Sequence, residues 1–452
     1  MVPAPANSQA SGERGGALTR VVMLVLLLPW LCWNVLLLGI LFASMPKNDF
    51  GRPFWSTLAF LRGEDMYALN ESVVYLFKGT TILHLWDLNP PHAHLLLLPL
   101  AVLPPRLALL VWCILGGLCL YASIRIILSQ IGLELTPSQK EWMVLGLLAF
   151  TGMGTAVVTG HMSFPLMLLI TLAWSDARHG RWSKAGAWLG LGMSLKPFLL
   201  IFIPYLVVKG YWRALAAAGL TAGCAFLLGL VVFGPENHRS WVRVLSLAET
   251  WAWLPMNASL YGIMGRGLLK NPGFTPMTEL DPGLVRAVWL ALAIPAGLVA
   301  LLRTSADSSG QSCDRAFAIL LVSALLLSPL GWTYYFWLPA VPIAPLVRGW
   351  WIQRSTPVGK DSPPPRSLSW NLFLAAAPGL FAPISLALVG QPSALATVVI
   401  GGISFWSLLL VWLALIVDGL DLGSIVAPAV SCCRFAQGIK RFRIRFGSAL
   451  EP

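Results

Sequence analysis

Charged residues are scarce in this chain. Only 11% of its 452 residues are Asp, Glu, Lys or Arg, whereas 57% are hydrophobic and the mean hydropathy is +0.74. Soluble domains carry about a quarter charged residues, and no soluble core could hide this much apolar surface. Several apolar segments reach the roughly 20 residues that a spanning helix needs. We therefore predict an all-α polytopic membrane protein with about ten to twelve transmembrane helices.

The sequence also lacks the patterns of metal and redox sites. Its seven cysteines show no CxxC spacing, and its acidic residues form no DxD pair. No cofactor and no metal site are therefore expected. The first apolar segment, VVMLVLLLPWLCWNVLLLGILFAS, is followed by no small-residue cleavage site, so we interpret it as a retained anchor.

Basic residues outnumber acidic ones, giving a net charge of +12. They fall in short clusters between apolar segments, as in RHGRWSK and KGYWR. Cytoplasmic loops are enriched in Lys and Arg, and anionic lipid headgroups attract them. We therefore expect the lipid bilayer, and not nucleic acid, as the partner of these clusters.

The order of polar and apolar segments predicts one membrane domain over residues 20–418. A small polar tail, 1–19, precedes it and a basic tail, 419–452, follows it. Within the domain we expect a first extracytoplasmic loop at 45–91, a second large loop at 235–282 and a proline-rich linker at 355–368. Lys196-Pro197 interrupts the apolar segment 185–208, which therefore predicts two half-helices or a kinked pair.

Two charged residues stand out by position. Asp49 lies where the chain leaves the first apolar segment, and Lys196 lies within SLKPFLLIFIP, where a cation is costly unless an anion needs it. If RHGRWSK and KGYWR are cytoplasmic, then Lys196, the Gly160-His161 turn and Asp49 share the extracytoplasmic face. Asp49 shares this face with the other two only if the short stretch LLLLPLAVLPP does not span the membrane.

Several motifs in order resemble glycosyltransferase family 87. The opening reads DFGRPFWSTLAFLRGEDMYA and then NPPHAHLLLLPLAVLPP, and the central stretch runs from GHMSFPLMLLI to the K-P step and KGYWRA. NASLYGIMGR is similar to the family's N-x-S-x-x-G-x-x-x-R element, and SPLGWTYY to its S-P-x-x-W element. The resemblance covers residues 49–342, and the order and spacing of the motifs carry it.

The resemblance implies a GT-C-type helix bundle with interfacial helices in its extracytoplasmic loops. Such enzymes transfer a mannose- or arabinofuranose-like sugar from a polyprenyl-phosphate donor to a glycolipid or glycan acceptor of the cell envelope. They work in the bacterial plasma membrane, with the active site on the extracytoplasmic side. A lipid phosphate leaves readily, so one carboxylate base is enough for an inverting transfer.

The resemblance also assigns roles to individual residues, and each assignment has a plainer alternative. Asp49 is the expected base, although Asn48-Asp49 could simply cap a helix; Asp65, in the same loop, is the competing carboxylate. Other residues are expected to contact the donor: Lys196 and Arg266 its phosphate, His161 its phosphate or sugar, and Asn257 the sugar hydroxyls. Trp332 is expected to stack on the sugar, and Tyr334 and Tyr335 are expected to bind substrate at the place of the family's histidine pair. A snorkelling lysine, an ordinary loop arginine, a polar turn residue and an interfacial aromatic belt are the corresponding alternatives.

The chain departs from the family pattern at two places. The family's G-Q step reads Gly160-His161, and the pair after the tryptophan, commonly His-His, reads Tyr334-Tyr335. Tyrosine keeps a hydrogen-bond donor but cannot carry positive charge near neutral pH. A transporter or flippase for a lipid-linked or small polar solute is the alternative function, because broken hairpins are typical of transporters. A purely structural envelope protein is the third possibility.

Overall fold

The computed structural model describes residues 48–68, 74–77, 81–84, 86–133, 135–153, 156, 160–307, 311–355, 368–381 and 393–420, together with six single residues of the first apolar segment. The predicted tail 1–19, nearly all of the linker 355–368 and the tail beyond residue 420 lie outside these residues. By its contacts the chain divides into a large unit, Met1–Ile416, and a short one, Val417–Pro452. The fold and the site described below lie in the large unit.

Helices make up most of the described chain. In chain order they are α1 Gly51–Leu61, α2 Leu98–Ala101, α3 Pro105–Gln130, α4 Pro137–Ala149, α5 Ser163–Arg178, α6 Trp182–Leu195, α7 Phe202–Val208, α8 Trp212–Leu245, α9 Leu260–Leu268, α10 Pro282–Ala306, α11 Ser312–Leu327, α12 Trp337–Ser355, α13 Leu368–Leu380, α14 Ala394–Val399 and α15 Ile403–Val417. Short 3₁₀ helices occur at Pro91–Leu96, Pro197–Ile201, Ala248–Trp251 and Thr333–Tyr335.

Three helices in the described residues, α3, α8 and α10, are long and apolar enough to cross a membrane. Shorter apolar helices accompany them at Pro197–Val208, Leu368–Leu380 and Ile403–Val417. α11 is buried along nearly its whole length and lies in the main apolar core. The predicted fold class, an all-α membrane protein, is confirmed, whereas ten to twelve spans remain a prediction.

The first loop contains a helix where one was predicted, together with one unexpected element. PFWSTLAFL belongs to α1, whose apolar side is buried. After it the chain forms a small antiparallel hairpin, β1 Val74–Phe77 and β2 Thr81–His84, with Val74 opposite His84 and Phe77 opposite Thr81. VYLF and TILH are rich in β-branched and aromatic residues, which favour strands. The first loop is therefore not built of helices alone.

The short stretch LLLLPLAVLPP forms no helix long enough to cross a membrane. It folds into the end of the 3₁₀ helix Pro91–Leu96 and the single turn of α2. Both pieces are far shorter than the roughly 20 residues of a spanning helix, and prolines separate them from α3. The chain before and after this stretch therefore stays at the same end of the bundle.

The predicted break at Lys196-Pro197 is confirmed. α6 ends at Leu195, Lys196 has extended backbone with φ −139° and ψ 103°, and Pro197 begins the 3₁₀ turn that leads into α7. Proline disfavours helical backbone in the residue before it, which explains why the helix stops at this point. Lys196 is thereby held at the end of α6, outside the three helices of spanning length.

The second large loop, predicted at 235–282, is helical where it begins. α8 kinks at Gly234, with φ +75°, and then continues from Pro235 to Leu245. Glycine adopts this positive φ without strain, and proline suits the first turn of a new helix. The helix is therefore two segments joined at Gly234-Pro235, and only the remainder of the predicted loop connects α8 to α10.

Two glycines let α6 and α8 pack in direct backbone contact. Gly186 and Gly190 are one helical turn apart on α6, and a Cβ on either would overlap the backbone of Ala214 or Ala218 on α8. Small residues spaced by four allow helices to approach closely in membranes. Gly186 meets Ala214 and Gly190 meets Ala218, so the two helices are parallel and their amino-terminal ends lie side by side.

We expect the Gly190→Ala variant to lower the free energy of unfolding by about 1–3 kcal/mol, because the methyl group overpacks this contact. Gly219→Ala on α8 is the matched control, since a Cβ there has nothing within 4 Å. Thermal unfolding of both purified variants measures the difference. Equal melting temperatures for Gly190→Ala and Gly219→Ala would contradict the packing described for α6 and α8.

Candidate active site

A small cavity of about 100 Å³ lies where several loops meet at one end of the bundle. Its walls come from the start of α1, the segment 86–89, the Gly160-His161 turn, the end of α6, the segment 251–256 and the turn before α12. Six residues that the sequence predicted for the site line it: Asp49, His161, Lys196, Trp332, Tyr334 and Tyr335. The remaining two, Asn257 and Arg266, do not.

Asp49 enters the cavity wall just before α1. The neighbouring Asn48 performs the capping role, because its Oδ1 accepts a hydrogen bond of 2.6 Å from the Gly51 amide. Asp49 instead forms an ion pair with Arg52, one helical turn further on. Its side chain is 11% exposed, which leaves a carboxylate facing the cavity. The capping alternative therefore belongs to Asn48.

Lys196 reaches the cavity from the break after α6. Its Nζ donates to Asn89 Oδ1 at 2.8 Å. The Asn89 side chain in turn donates to Asp87 Oδ1 at 2.6 Å, and the Asn89 backbone amide donates to the same oxygen at 2.9 Å. A lysine, an asparagine and a carboxylate thus form one chain of hydrogen bonds along the wall.

The segment that carries Asp87 and Asn89 is fastened on three sides. Tyr67 donates its hydroxyl hydrogen to the Asn89 carbonyl at 2.6 Å. His92 Nε2 lies 2.8 Å from the Ser194 carbonyl on α6, and His94 Nδ1 lies 2.9 Å from the Thr57 hydroxyl on α1. The two histidines of HAH therefore hold different helices, and each contact helps to fix Lys196 relative to Asp49.

His161 is packed into the aromatic side of the cavity. Gly160 precedes it with φ +61°, and its carbonyl accepts a hydrogen bond from Trp112 Nε1 at 2.9 Å. The imidazole stacks on Tyr334 with ring centres 3.9 Å apart, and its Nε2 lies 3.4 Å from the Tyr335 hydroxyl. The two places where the chain departs from the family pattern are therefore direct neighbours.

Charge at the cavity is balanced between acids and bases. Burial, followed by the charges of Lys196 and Arg52, lowers the pKa of His161 well below its ordinary value, so the imidazole is neutral. Burial lowers the pKa of Lys196 to about 8, while the Asp87 carboxylate opposes this shift. The site therefore holds two carboxylates, Asp49 and Asp87, against Arg52 and a readily titrated lysine.

Aromatic rings cover the rest of the wall. Trp86 stacks on Trp251 with ring centres 6.0 Å apart, and Trp332 stacks on Tyr334 at the same separation. Flat rings of this kind offer an apolar surface with polar edges, which suits the faces of a sugar. Trp332 is nearly buried, so only part of its ring is available to a ligand.

Asn257 supports the aromatic wall from behind. Its side-chain nitrogen donates to the Ala252 carbonyl at 2.8 Å and the Pro329 carbonyl at 2.9 Å, and its Oδ1 accepts from the amides of Ser259 and Gly331. The residue is fully buried. Its hydrogen-bonding capacity is thus used within the protein, and it fixes the turn that presents Trp332.

Arg266 lies in α9 and is also buried. Its Nη1 donates to the carbonyls of Leu254 at 3.0 Å and Asn257 at 2.9 Å. These bonds tie α9 to the segment 251–256 of the cavity wall. The structure therefore places Arg266 behind the wall and does not bring it into contact with the cavity.

Three wall residues with charged or amide side chains were missing from the sequence-based prediction: Arg52, Asp87 and Asn89. Arg52 follows Asp49 by three positions, the spacing of an ion pair on a helix, and this spacing could have identified it. Asp87 and Asn89 lie in WDLNPP, where a buried carboxylate has no local signature. Asp65, the competing carboxylate, binds the Tyr67 amide at 2.9 Å and lies outside the wall.

The chain matches the model of one known protein family. The model of glycosyltransferase family 87 matches residues 88–329, more than half of the chain. The match includes Asn89, His161 and Lys196, whereas Asp49, Asp87 and Tyr334 lie outside it. No solved structure matches the chain.

Two curated relatives, both from Mycolicibacterium smegmatis, match parts of the chain. The polyprenol-phosphate-mannose-dependent alpha-(1-2)-phosphatidylinositol pentamannoside mannosyltransferase is 26% identical over 262 residues, covering 56% of this chain and 59% of that protein. The corresponding alpha-(1-2)-phosphatidylinositol mannoside mannosyltransferase is 25% identical over 219 residues, covering 46% and 48%. The matched part spans about half the length of these relatives.

Proposed function

Because the chain belongs to glycosyltransferase family 87, we propose that it is a membrane glycosyltransferase that takes its sugar from a polyprenyl-phosphate donor. The acceptor we propose is an envelope glycolipid or glycan. The single observation that carries this proposal is the shared cavity, in which the Asp49 carboxylate, the Lys196 ammonium and stacked aromatic rings line one space.

The proposed reaction is one displacement at the anomeric carbon of the donor sugar. The acceptor oxygen forms a bond to that carbon while the bond from the carbon to the phosphate oxygen breaks, and the bonding electrons leave with the polyprenyl phosphate. Asp49 accepts the proton from the acceptor hydroxyl. A single displacement inverts the anomeric configuration.

Lys196 and Arg52 provide the positive charge for the departing phosphate. Phosphate oxygens accept charge-assisted hydrogen bonds from ammonium and guanidinium groups, and these bonds strengthen as negative charge develops on the leaving group. The hydrogen bond to Asn89 orients the Lys196 ammonium, and the hydrogen bond to Asp87 orients the Asn89 side chain. Asp87 is thus a positioning residue for the phosphate-binding lysine in this proposal.

We propose a mannose- or arabinofuranose-like sugar as the group transferred. The names of the two matched relatives specify polyprenol-phosphate mannose, which favours mannose for this chain. The cavity of about 100 Å³ is smaller than the roughly 300–1,000 Å³ of most ligand pockets. Donor binding is therefore expected to move wall side chains.

We also propose that transfer takes place on the extracytoplasmic side of the plasma membrane. The basic turns RHGRWSK and KGYWR lie at the amino-terminal ends of α6 and α8, whereas Lys196 lies at the opposite end of α6. The fourteen residues of α6 separate these two ends by about 21 Å. Basic turns at the cytoplasmic end thus support an extracytoplasmic cavity.

The proposal is tested with membranes that contain the full chain and polyprenyl phosphate carrying a radiolabelled sugar. We expect label from the mannosyl donor to appear in a glycolipid or glycan product, and a parallel assay with the arabinofuranosyl donor to give little product. Uptake of a lipid-linked or polar solute by proteoliposomes, without any transfer of label, would instead support a transporter and overturn the proposal.

A further inference from the structure

A second, larger groove runs along α6 from its amino-terminal end, which lies opposite the end that reaches the cavity. It has a volume of about 800 Å³ and runs between α5, α6 and α8. Its apolar lining comes from one stripe of α6, with Ala187 and Leu191, and one stripe of α8, with Cys224, Ala225 and Leu228. Each stripe repeats at the spacing of a helix face, so the groove follows the line along which the two helices pack against each other.

The groove opens at one end into a basic pocket of about 560 Å³. Arg181 and Lys184 line both spaces, and Arg213 lines the pocket from the start of α8. Arg181 is paired with Asp176 at 2.6 Å, which cancels one charge. In the part of the chain that the structure describes, the exposed side chains of Lys184 and Arg213 make no hydrogen bond or ion pair. Two positive charges are therefore available to an anion.

The helix α8 beside the groove has the apolar, exposed surface expected of a helix that faces lipid. Leu220 and Val231 on this helix are 68% and 83% exposed. Trp182 stacks on Tyr211 at the basic pocket with ring centres 3.8 Å apart, and Trp212 beside them is exposed. Such aromatic rings are typical of the level of the lipid headgroups.

We propose that this groove binds an anionic glycerophospholipid, with the lipid phosphate between Lys184 and Arg213 and one acyl chain along the apolar stripes of α6 and α8. An apolar groove that ends in a basic pocket at the level of the headgroups is complementary to a lipid with a negatively charged headgroup. The groove is distinct from the donor site, because a phosphate at Lys184 lies about 18 Å along α6 from Lys196. This proposal does not depend on the reaction proposed for the cavity.

Binding is measured by native mass spectrometry of the purified full chain, titrated with dioleoyl phosphatidylglycerol in detergent. We expect one tightly held phosphatidylglycerol and about 25-fold weaker binding in the Lys184→Gln/Arg213→Gln double variant, about fivefold for each charge removed. Lys140→Gln, which removes an exposed lysine of α4 outside the groove, is expected to bind as the wild type does. Ala225→Trp should fill the groove and weaken phosphatidylglycerol binding, whereas Leu220→Trp, on α8 but outside the groove, should leave binding unchanged.

Three further arms decide between possible occupants. Equal affinity for phosphatidylcholine would contradict the preference for an anionic headgroup. Equally tight binding of inorganic phosphate alone would contradict a role for the acyl chain. Loss of polyprenyl-phosphate binding in the double variant would assign the groove to the donor and overturn the proposal. Sugar transfer by the double variant at the wild-type rate in detergent, together with its loss of phosphatidylglycerol, would support it.

Discussion

We expect the Asp49→Asn variant to transfer sugar about 10²–10⁴-fold more slowly than the wild type, with little change in donor binding. Asparagine preserves the shape of the side chain but cannot take the proton from the acceptor hydroxyl. The rate falls in kcat because the lost interaction is made during the chemical step. Single-turnover transfer from a radiolabelled donor measures this rate directly.

The matched control for this variant is Asp65→Asn. Asp65 lies in the same loop and is exposed, but its carboxylate is outside the cavity wall, so its loss should leave transfer unchanged. Asp87→Asn provides the second comparison, because Asp87 lines the cavity and contacts Asn89. If Asp49→Asn keeps the wild-type rate while Asp87→Asn abolishes transfer, then Asp87, and not Asp49, is the base.

Replacing Lys196 by glutamine is expected to reduce kcat by about 10²–10³-fold and also to weaken donor binding. The ammonium group lies at the cavity, and its interaction with phosphate strengthens as the leaving group gains charge. Lys270→Gln removes an exposed loop lysine and serves as the control. A Lys196→Gln variant that retains both kcat and the donor dissociation constant would remove Lys196 from the mechanism.

Lys196 also predicts a pH dependence. Burial lowers the pKa of Lys196 to about 8, so the free enzyme carries this charge below pH 8 and loses it as the pH rises further. We therefore expect kcat/KM to fall above about pH 8 in the wild type. Arginine keeps its charge throughout this range, so the fall should be absent from any activity that Lys196→Arg retains.

The aromatic side of the cavity shows how tertiary contacts combine two separate departures in the sequence. His161 stands where the resembled family has glutamine, and Tyr334 and Tyr335 stand where it commonly has histidines. In the fold these residues touch, so one imidazole is still present beside the phenol rings. It is neutral, however, so the positive charge at this cavity comes from Arg52 and Lys196. Residues 174 positions apart in the chain reveal this only when they are packed together.

The two predicted residues that do not line the cavity show the opposite effect. Asn257 and Arg266 lie in a motif that resembles an element of the family, and their polar side chains made them candidates for sugar and phosphate. Both are buried, and they bond to backbone carbonyls of the cavity wall. A motif shows that a residue type is required at a position, but not whether its polar atoms face a ligand or the protein backbone.

The sequence by itself determined the membrane class, the presence of a helix after Asp49 and the helix break at Lys196-Pro197. These features depend on hydrophobicity and on proline geometry, which act between neighbouring residues. Only the tertiary structure showed that Asp49, Lys196 and His161 share one cavity, and that Asp87 and Asn89 align the lysine. Burial and hydrogen bonding across more than one hundred residues decide these placements, and no local pattern encodes them.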